Sequence, residues 1–352
     1  MRNLLLLIAF AFLFAGCSQK VLIETTKPAK LDRAASKKKI AVMDFNQDTV
    51  HLGGKIESAL NSTMVNNEQF FTIVNRNAID TILKEQKFQY SGLASTKENV
   101  KIGELLGAQA LIIGKVNTGD EVQPTQEVRT RCIDQKCTRT QAYYVTCHIY
   151  RYSLGANLSM VDVERGDLIY TNNYIKQKEY KECPMDSGDA MNLAISLATS
   201  LLKEEKPEKN VVFDRMADEV VKEFLPNIAP TTHKFYVVIL DSPEISYTKE
   251  QTAKLEAALE YLKHSRTDRA EEILSDLLTS TNDKCFVAAY DLGVIKEAKG
   301  ELENAKQLYN LADRLTLKPN KTINEAIVRI NEAINDQNRL NNQASKTKGK
   351  KK

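Results

Sequence analysis

Six cysteines and four histidines are the residues of this 352-residue chain with the most specific chemistry. Cys132 and Cys137 stand five positions apart in a charged stretch, so they could form a disulfide, remain free thiols or bind a metal. A structural zinc site needs four ligands, and no second cysteine pair or adjacent histidine completes a set here. Cys147 and His148 are the nearest pair of donors. Of the three possibilities for Cys132 and Cys137, the metal site is therefore the least favoured.

Catalytic motifs are missing from the sequence. It contains no pattern typical of a nucleophile elbow, a zinc protease or a dinucleotide-binding loop. Leu52-Gly53-Gly54-Lys55 is partly similar to a phosphate-binding loop, but Thr49 replaces the first glycine and Ile56 replaces the Mg²⁺-binding hydroxyl. We interpret this stretch as a glycine-rich helix start, and we predict no catalytic residue, no metal, no cofactor and no enzymatic activity.

The N-terminus has the pattern of an export signal. Arg2 precedes the unbroken apolar run Leu4–Phe14, which has the length of a signal-peptide core and is too short to span a bilayer. Ala15-Gly16-Cys17 follows and resembles the lipobox of bacterial lipoprotein signals, with Phe14 standing where leucine is usual.

The lipobox resemblance implies a location and an anchor. It implies that residues 1–16 are removed and that Cys17 carries acyl chains, a palmitate among them, which hold the protein on a membrane. Ser18 follows where an aspartate would retain the protein at the inner membrane, which implies sorting to the periplasmic face of the outer membrane. Residues 17–37 are interpreted as a lipidated tether.

A location outside the cytoplasm permits disulfides, so the cysteines can be assigned. We predict one bridge between Cys132 and Cys137, with free thiols as the alternative. A second bridge is predicted between Cys147 and Cys183. Cys285 lies in a helical pattern and is predicted to be a small buried residue.

The overall charge argues against nucleic-acid binding. The formal net charge is +3, and five lysines stand among the last seven residues, with Arg2 in the signal segment. The rest of the chain is therefore slightly acidic, which a protein that coats nucleic acid would not be.

Short apolar strands alternate with helical patterns after the tether. Strand patterns occupy 39–45, 70–74 and 110–116, and apolar residues recur at helical spacing between them. Such alternation is typical of an α/β layered domain. The turn Glu164-Arg165-Gly166-Asp167 separates two further strand patterns and predicts a hairpin.

These segments resemble the CsgG-type family of curli secretion lipoproteins. The stretches IAVMDF at 40–45, FTIVNR at 71–76 and IGELLGAQALIIGKV at 102–116 carry the resemblance, which extends loosely over 142–222. It implies a CsgG-like α/β domain over residues 38–247, with a charged insert at 118–141. Relatives include export channels and LpoB-like activators of peptidoglycan synthases, and the resemblance leaves room for a homo-oligomer.

The export-channel alternative can be tested by charge. A lipid-facing strand needs about 9–11 residues that alternate apolar and polar, and a charge facing lipid costs about 2–4 kcal/mol near the midplane. The insert 118–141 contains no aromatic residue and many charged ones, and the segment 172–189 is charged as well. We therefore predict a relative that is not a channel.

The C-terminal third is helical in pattern. Residues 248–337 contain an apparent repeat of 35 residues, which resembles the tetratricopeptide (TPR) family. Small or aromatic residues are expected to let paired helices pack closely, namely Gly293, Gly300, Ala305, Tyr309 and Ala312. A helix at 323–334 would cap the repeats, and the Lys-rich tail at 338–352 is predicted to be disordered.

The sequence thus predicts an α/β layered CsgG-like domain followed by an all-α TPR-like domain. The function that this combination favours is a non-enzymatic scaffold or assembly factor for a cell-envelope machine. The membrane would be reached through the N-terminal lipid, and protein partners through the TPR-like region. The alternatives are a curli-like export channel component and an LpoB-like activator of a peptidoglycan synthase.

Overall fold

The computed structural model describes residues 19–75, 79, 96–134, 136–184, 206–242 and 246–345. In chain order, the strands are β1 (Lys20–Lys27), β2 (Lys39–Val42), β3 (Met64–Val65), β4 (Glu68–Gln69), β5 (Thr72–Ile73), β6 (Ala110–Cys132), β7 (Thr140–Asp162), β8 (Leu168–Glu182) and β9 (Thr231–Val238). The helices are α1 (Asp32–Ala35), α2 (Leu52–Asn61), α3 (Thr96–Leu105), α4 (Lys209–Ile228), α5 (Lys249–Lys263), α6 (Thr267–Ser280), α7 (Phe286–Ala298), α8 (Leu302–Leu315) and α9 (Lys321–Ser345).

The described residues divide into two compact units. The sheet unit spans 29–229, and the helical unit combines 19–28 with 230–345. The sequence prediction extends the first domain to residue 247, but β9 (Thr231–Val238) belongs to the helical unit. An N-terminal mixed sheet followed by a C-terminal helical region is the fold class that the sequence predicts.

One mixed sheet organises the sheet unit. Its strand order is β5-β2-β6-β7-β8, with β2 parallel to β5 and β6, and with β6, β7 and β8 antiparallel. The interior strand β2, between β5 and β6, buries Ile40, Ala41 and Val42, as expected of a strand covered on both faces. The turn after β7 lies where the Glu164–Asp167 pattern predicts it.

Two amphipathic helices cover part of this sheet. Leu52, Ile56 and Leu60 recur every four residues on α2, and all three are fully buried. The longer helix α4 contacts α2, β7 and β8 through a buried stripe that includes Phe213 and Phe224. The described part of the chain contains no helix of the length and apolar character that crossing a membrane requires.

The predicted tether at 17–37 is folded from residue 19 onwards, so that prediction is wrong. β1 pairs with β9 over eight residues, and α1 buries both of its alanines. Just beyond, Arg33 Nη2 and Lys37 Nζ bind the carboxylate of Asp162 at 2.9 and 2.8 Å. All of these partners lie more than a hundred residues along the chain, so no local pattern could reveal them.

Two helical hairpins and a long helix build the helical unit. α5 packs on α6 and α7 on α8, and α9 then packs on α8. Ser265 and Gly300 end the first helix of each hairpin with positive φ angles of 58° and 77°, at the 35-residue spacing noted in the sequence. Gly300 thus supplies a left-handed turn. A Cβ added at Gly300 would meet nothing within 4 Å, so its predicted role in close helix packing is wrong.

The other predicted packing residues lie between α7 and α8. Ala305, Tyr309 and Ala312 are fully buried, and a Cβ on Gly293 would stand only 2.6 Å from the Tyr309 ring. The α7 backbone therefore approaches the tyrosine ring as closely as glycine allows.

A buried ion pair fixes α9 against this hairpin. Arg329 binds Glu297 through two hydrogen bonds, from Nε to Oε1 and from Nη2 to Oε2, each 2.8 Å long. The Tyr309 hydroxyl donates to the same carboxylate at 2.6 Å. The Glu297 side chain is only 2% exposed, so these bonds replace the water that it loses.

Helix α9 is longer than the sequence predicts. It continues to Ser345, so residues 338–345 are helical, and the prediction of a disordered tail is wrong for them. Leu340 and Gln343 are buried, which explains why this polar stretch stays in the helix. Residues 346–352 of the predicted tail lie outside the described residues.

Candidate functional site

A long β-hairpin of the sheet unit carries the candidate site. β6 and β7 each run for 23 residues and pair without a register break from Ala110↔Asp162 to Cys132↔Thr140. β2 pairs with β6 only at residues 110–112, and β8 pairs with β7 only as far as His148, so the distal hairpin has at most β8 beside it and its last eight residue pairs extend about 25 Å beyond the other strands. The predicted insert at 118–141 is therefore a continuation of two core strands.

The distal hairpin separates its residues into two faces by parity, since side chains alternate along a strand. The even-numbered residues in 122–130 and 142–150 form a surface that we call the even face. Cross-strand pairs on it include Val128↔Tyr144 and Val122↔Tyr150. The even face contains no Asp, Glu, Lys or Arg; its members are Val122, Pro124, Gln126, Val128, Thr130, Ala142, Tyr144, Thr146, His148 and Tyr150.

Within residues 121–131 and 141–151, the charged residues of both strands point to the opposite, odd face. Arg151 binds Glu179 at 2.8 Å and Gln123 at 2.6 Å. Nearer the tip, the Arg129 guanidinium donates to the Pro184 carbonyl oxygen at 3.0 Å, and Lys181 Nζ lies 3.0 Å from Glu127. The odd-face charges thus have partners within the unit, and Val145 and Cys147 on this face are buried.

The even face is the exposed one. Val122, Val128 and Tyr144 have 51%, 59% and 73% of their side chains exposed. At the proximal end of this face, Lys206 Nζ lies 3.8 Å from the centre of the Tyr150 ring. The hairpin therefore shows solvent its uncharged side and uses its charged side for internal contacts, which is the reverse of an ordinary soluble strand pair.

Two disulfides brace the hairpin, and they are the two pairs that the sequence predicts. Cys132 and Cys137 are joined at the tip, with their Cα atoms 4.8 Å apart. Cys147 on β7 is joined to Cys183, just beyond β8, with Cα atoms 4.2 Å apart. The second bond fastens the end of β8 to the hairpin. Cys285 is free and buried in the helical unit, at the start of α7.

Within the described residues, one group of side chains has the spacing of a metal site, namely Glu127, Cys147 and Cys183. Glu127 Oε2 lies 3.2 and 3.4 Å from the two sulfurs. Metals bind cysteine as the thiolate, whereas these sulfurs are bonded to each other, and the carboxylate already has Lys181 as its counter-ion. The group fits a disulfide rather than a metal.

The glycine-rich stretch at the start of α2 binds a carboxylate of the chain itself. Asp48 accepts hydrogen bonds from the backbone N–H groups of Leu52 and Gly53 at 2.8 and 2.9 Å. These are the donors that a phosphate would need at a helix N-terminus. The side chain thus caps α2, in agreement with the interpretation of this stretch as a helix start.

Sequence reasoning missed the even face, although the signal was available. Glu121, Glu127, Arg129 and Arg131 all have odd numbers, so their parity alone predicts an uncharged opposite face. Judging the insert by its total charge concealed that separation. The predicted lipidation site Cys17 lies outside the described residues.

Comparison with known proteins gives the family of the N-terminal part. Residues 21–126 match the family described as curli production assembly/transport component CsgG. The crystal structure of lipoprotein GNA1162 from Neisseria meningitidis is similar at 12% identity over 47% of this chain and 96% of that chain, with a TM-score of 0.24. No curated protein matches the chain. The match to the CsgG family model begins in β1 and ends within the hairpin, and it confirms the CsgG resemblance of the sequence over these residues.

Proposed function

We propose that this protein is a non-enzymatic scaffold or assembly factor of a cell-envelope machine, anchored at the periplasmic face of the outer membrane by lipid on Cys17. The even face of the β6–β7 hairpin is the observation that carries the proposal. In this account the even face docks one protein partner, and the TPR-like helical hairpins recruit another.

The composition of the even face suits a protein partner. Protein interfaces are depleted of charged residues at their centre and enriched in aromatic ones, and tyrosine is frequent among their hot spots. Tyr144 and Val128 form an exposed cross-strand pair near the middle of the distal hairpin, surrounded by threonine, glutamine and alanine. An exposed face of this kind, on a hairpin braced by two disulfides, offers a rigid surface at little cost in ordering.

Two buried carboxylates, Asp162 and Glu297, are used by the fold, which supports a non-enzymatic role. Asp162 is held by two cations, and Glu297 by Arg329 and Tyr309. Hydrogen bonds from Lys37 and Arg33 outweigh the effect of burial and hold the pKa of Asp162 below its ordinary value. Both groups link segments of the fold, which is a structural use of a buried charge.

The second candidate function, an export channel component, gains support from the same face. Glu121, Glu127, Arg129 and Arg131 lie on the odd face, so the part of the even face beyond Glu182, which β8 places opposite His148, would not bring a charge into lipid. Gln126, Thr130 and Thr146 on the even face are polar, and this composition favours a protein partner over lipid.

Site-specific photo-crosslinking tests the proposal. A photoreactive amino acid replaces Tyr144 in the full-length protein in its native envelope, and a matched variant carries it at Gln141 on the odd face. We expect Tyr144-dependent crosslinks to one or a few envelope proteins that the Gln141 position does not give. Crosslinks to lipid alone would favour the channel, and recovery of only peptidoglycan synthases would favour the LpoB-like regulator. Equal crosslinking at the two positions would remove the docking role of the even face.

A further inference from the structure

The N-terminal strand leaves almost no free chain between the lipid anchor and the helical unit. β1 and β9 pair antiparallel from Lys20↔Val238 onwards, and the Ile239 N–H donates to the Gln19 carbonyl oxygen at 3.1 Å. Ser18 is therefore the one residue between Cys17 and the hydrogen-bonded ribbon. Two residues of extended chain span at most about 7 Å, so the anchor and the ribbon end must be neighbours.

This ribbon is packed into the core of the helical unit. Its inner face contributes Val21, Ile23 and Val237 to the core of the helical unit. The Tyr290 hydroxyl on α7 also donates to the Val238 carbonyl oxygen at 3.0 Å. An anchor attached to β1 therefore acts on the whole helical unit rather than on a loose arm.

The outer face of the ribbon changes character along its length. At the end nearest Cys17 it exposes Lys20 and Val238, and next to them the cross-strand pair Leu22↔Tyr236. The exposed fractions are 46% for Leu22, 66% for Tyr236 and 37% for Val238. Farther from the anchor the outer face turns polar.

A salt bridge marks that polar part. Lys234 Nζ and Glu24 lie 2.7 Å apart, and both side chains are more than half exposed. The end of the outer face close to the anchor is apolar and cationic, and a salt bridge with no net charge follows it. This order matches the change from the bilayer interface to water. Aromatic rings concentrate at the membrane interface, and lysine is attracted to anionic headgroups.

We propose that the outer face of the β1–β9 ribbon rests on the lipid headgroups of the membrane that holds the Cys17 acyl chains. The inference rests on the proposed lipidation of Cys17. Acyl chains already give lasting attachment at about 0.8 kcal/mol per buried CH₂, so the ribbon contact determines how the helical unit is oriented rather than how tightly it binds. The occupant is lipid because the anchor lies within about 7 Å of this face.

Tryptophan fluorescence tests this contact without background, since the chain contains no tryptophan. The Tyr236→Trp variant of the full-length, lipidated protein is reconstituted into vesicles of phosphatidylethanolamine and phosphatidylglycerol that contain a headgroup-spin-labelled lipid. The control is Leu317→Trp, at a fully exposed position between α8 and α9 of the same unit. Leu22→Trp is a second reporter on the ribbon if Tyr236→Trp does not fold.

We expect the spin label to lower the emission of the ribbon reporter at least about twofold and to leave the Leu317→Trp emission nearly unchanged, because the quencher acts at the headgroup boundary. Equal quenching of the two variants would overturn the proposal, and so would a blue-shifted but unquenched ribbon reporter, which indicates a protein contact. Intact-mass measurement shows whether the acyl chains are present, and so separates a failure of the proposed anchor from a failure of the ribbon contact. Absent chains would overturn both the anchor and this inference, whereas present chains with an unquenched reporter would overturn this inference alone.

Discussion

The two units hold themselves together over different distances in the chain. In the sheet unit, the Arg33–Asp162 ion pair joins residues 129 positions apart, and the Cys147–Cys183 disulfide closes a separation of 36. In the helical unit, Tyr309 reaches Glu297 across 12 positions, and α7 packs on α8 with a glycine against a tyrosine ring. The sheet unit thus depends on cross-links between remote segments, whereas the helical hairpins depend on close packing of neighbouring ones, and the β1–β9 ribbon of the helical unit joins remote segments.

Their buried carboxylates show the same contrast. Asp162 and Asp291 are both fully buried, but Asp162 has two cations and Asp291 has a single hydrogen bond, from the Leu240 N–H at 2.8 Å. Burial raises the pKa of Asp291 well above its ordinary value, whereas the cations lower that of Asp162. Burial alone therefore does not fix the protonation state of a carboxylate; its partners do.

We expect the largest loss of stability when the buried ion pair of the helical unit is broken. Arg329→Ala leaves Glu297 buried without its cation, which we expect to lower the free energy of unfolding by about 3–5 kcal/mol. Arg266→Ala removes an exposed pair with Asp268 on the same unit and should cost far less, because water screens that pair. Denaturant unfolding of both variants checks this difference. Equal losses would mean that the buried pair contributes nothing beyond an exposed one.

The disulfides test the cross-linking of the sheet unit. The entropy of loop closure predicts a loss of roughly 4 kcal/mol for the double variant Cys147→Ala/Cys183→Ala and roughly 2 kcal/mol for Cys132→Ala/Cys137→Ala, because the first loop is longer. Thermal unfolding of the oxidised proteins measures both. A larger loss of stability without the Cys132–Cys137 bond than without the Cys147–Cys183 bond would contradict this order. It would show that the hairpin tip, and not the attachment of β8, limits the stability of the sheet unit.

Two helical glycines provide a smaller test of packing. On α7, Gly293→Ala places a methyl group 2.6 Å from the Tyr309 ring, so we expect a destabilisation of about 1–3 kcal/mol. On α2, a Cβ at Gly54 meets nothing within 4 Å, so Gly54→Ala should stabilise the sheet unit by up to about 1 kcal/mol. Chemical denaturation of the two variants should give opposite signs. A loss at both positions would indicate that glycine serves a backbone role on α2.

The pH dependence of the two units should also have opposite signs. The lowered pKa of Asp162 gives the sheet unit stability that is present above the unfolded pKa of about 3.9 and is lost as the pH falls through the folded value. The raised pKa of Asp291 gives the helical unit stability that is present at low pH and is lost as the pH rises through the folded value.

Native-state hydrogen exchange, corrected for intrinsic rates, separates these contributions. Between pH 8 and pH 5 we expect protection to rise in α7, around Asp291, and to stay level in β7, next to Asp162. Parallel changes in the two units would show that Asp291 keeps its charge in the fold.

Much of the fold was predictable, and the failures share a cause. The strand at 39–45, the turn at 164–167 and the capping helix at 323–334 follow from local periodicity, and the structure contains β2, the β7–β8 turn and α9 at these places. β1 was not predicted because its pairing partner β9 begins more than 200 residues later. α1 has only four residues, and it is fixed by packing rather than by helical pattern.

The candidate site was half predictable. Its cysteine pairs follow from spacing and compartment: Cys147 lies within β7, and Cys183 lies just beyond β8, the strand that pairs with β7. The even face was readable from the odd numbering of the charged residues. Which face is exposed could not be read, because it depends on contacts such as Arg129 with Pro184, 55 residues along the chain.

The central claim is that the even face docks a protein partner, and a charge placed on that face tests it most directly. The double variant Val128→Glu/Tyr144→Glu is compared with wild type for the amount of the Tyr144-crosslinked partner that co-purifies, with Arg131→Glu on the odd face as the control. We predict that the double variant lowers the association at least about tenfold, while the control leaves it unchanged. A tyrosine hot spot that the partner buries contributes about 2 kcal/mol or more to the binding free energy. Undiminished association of a folded, disulfide-bonded double variant would contradict the account.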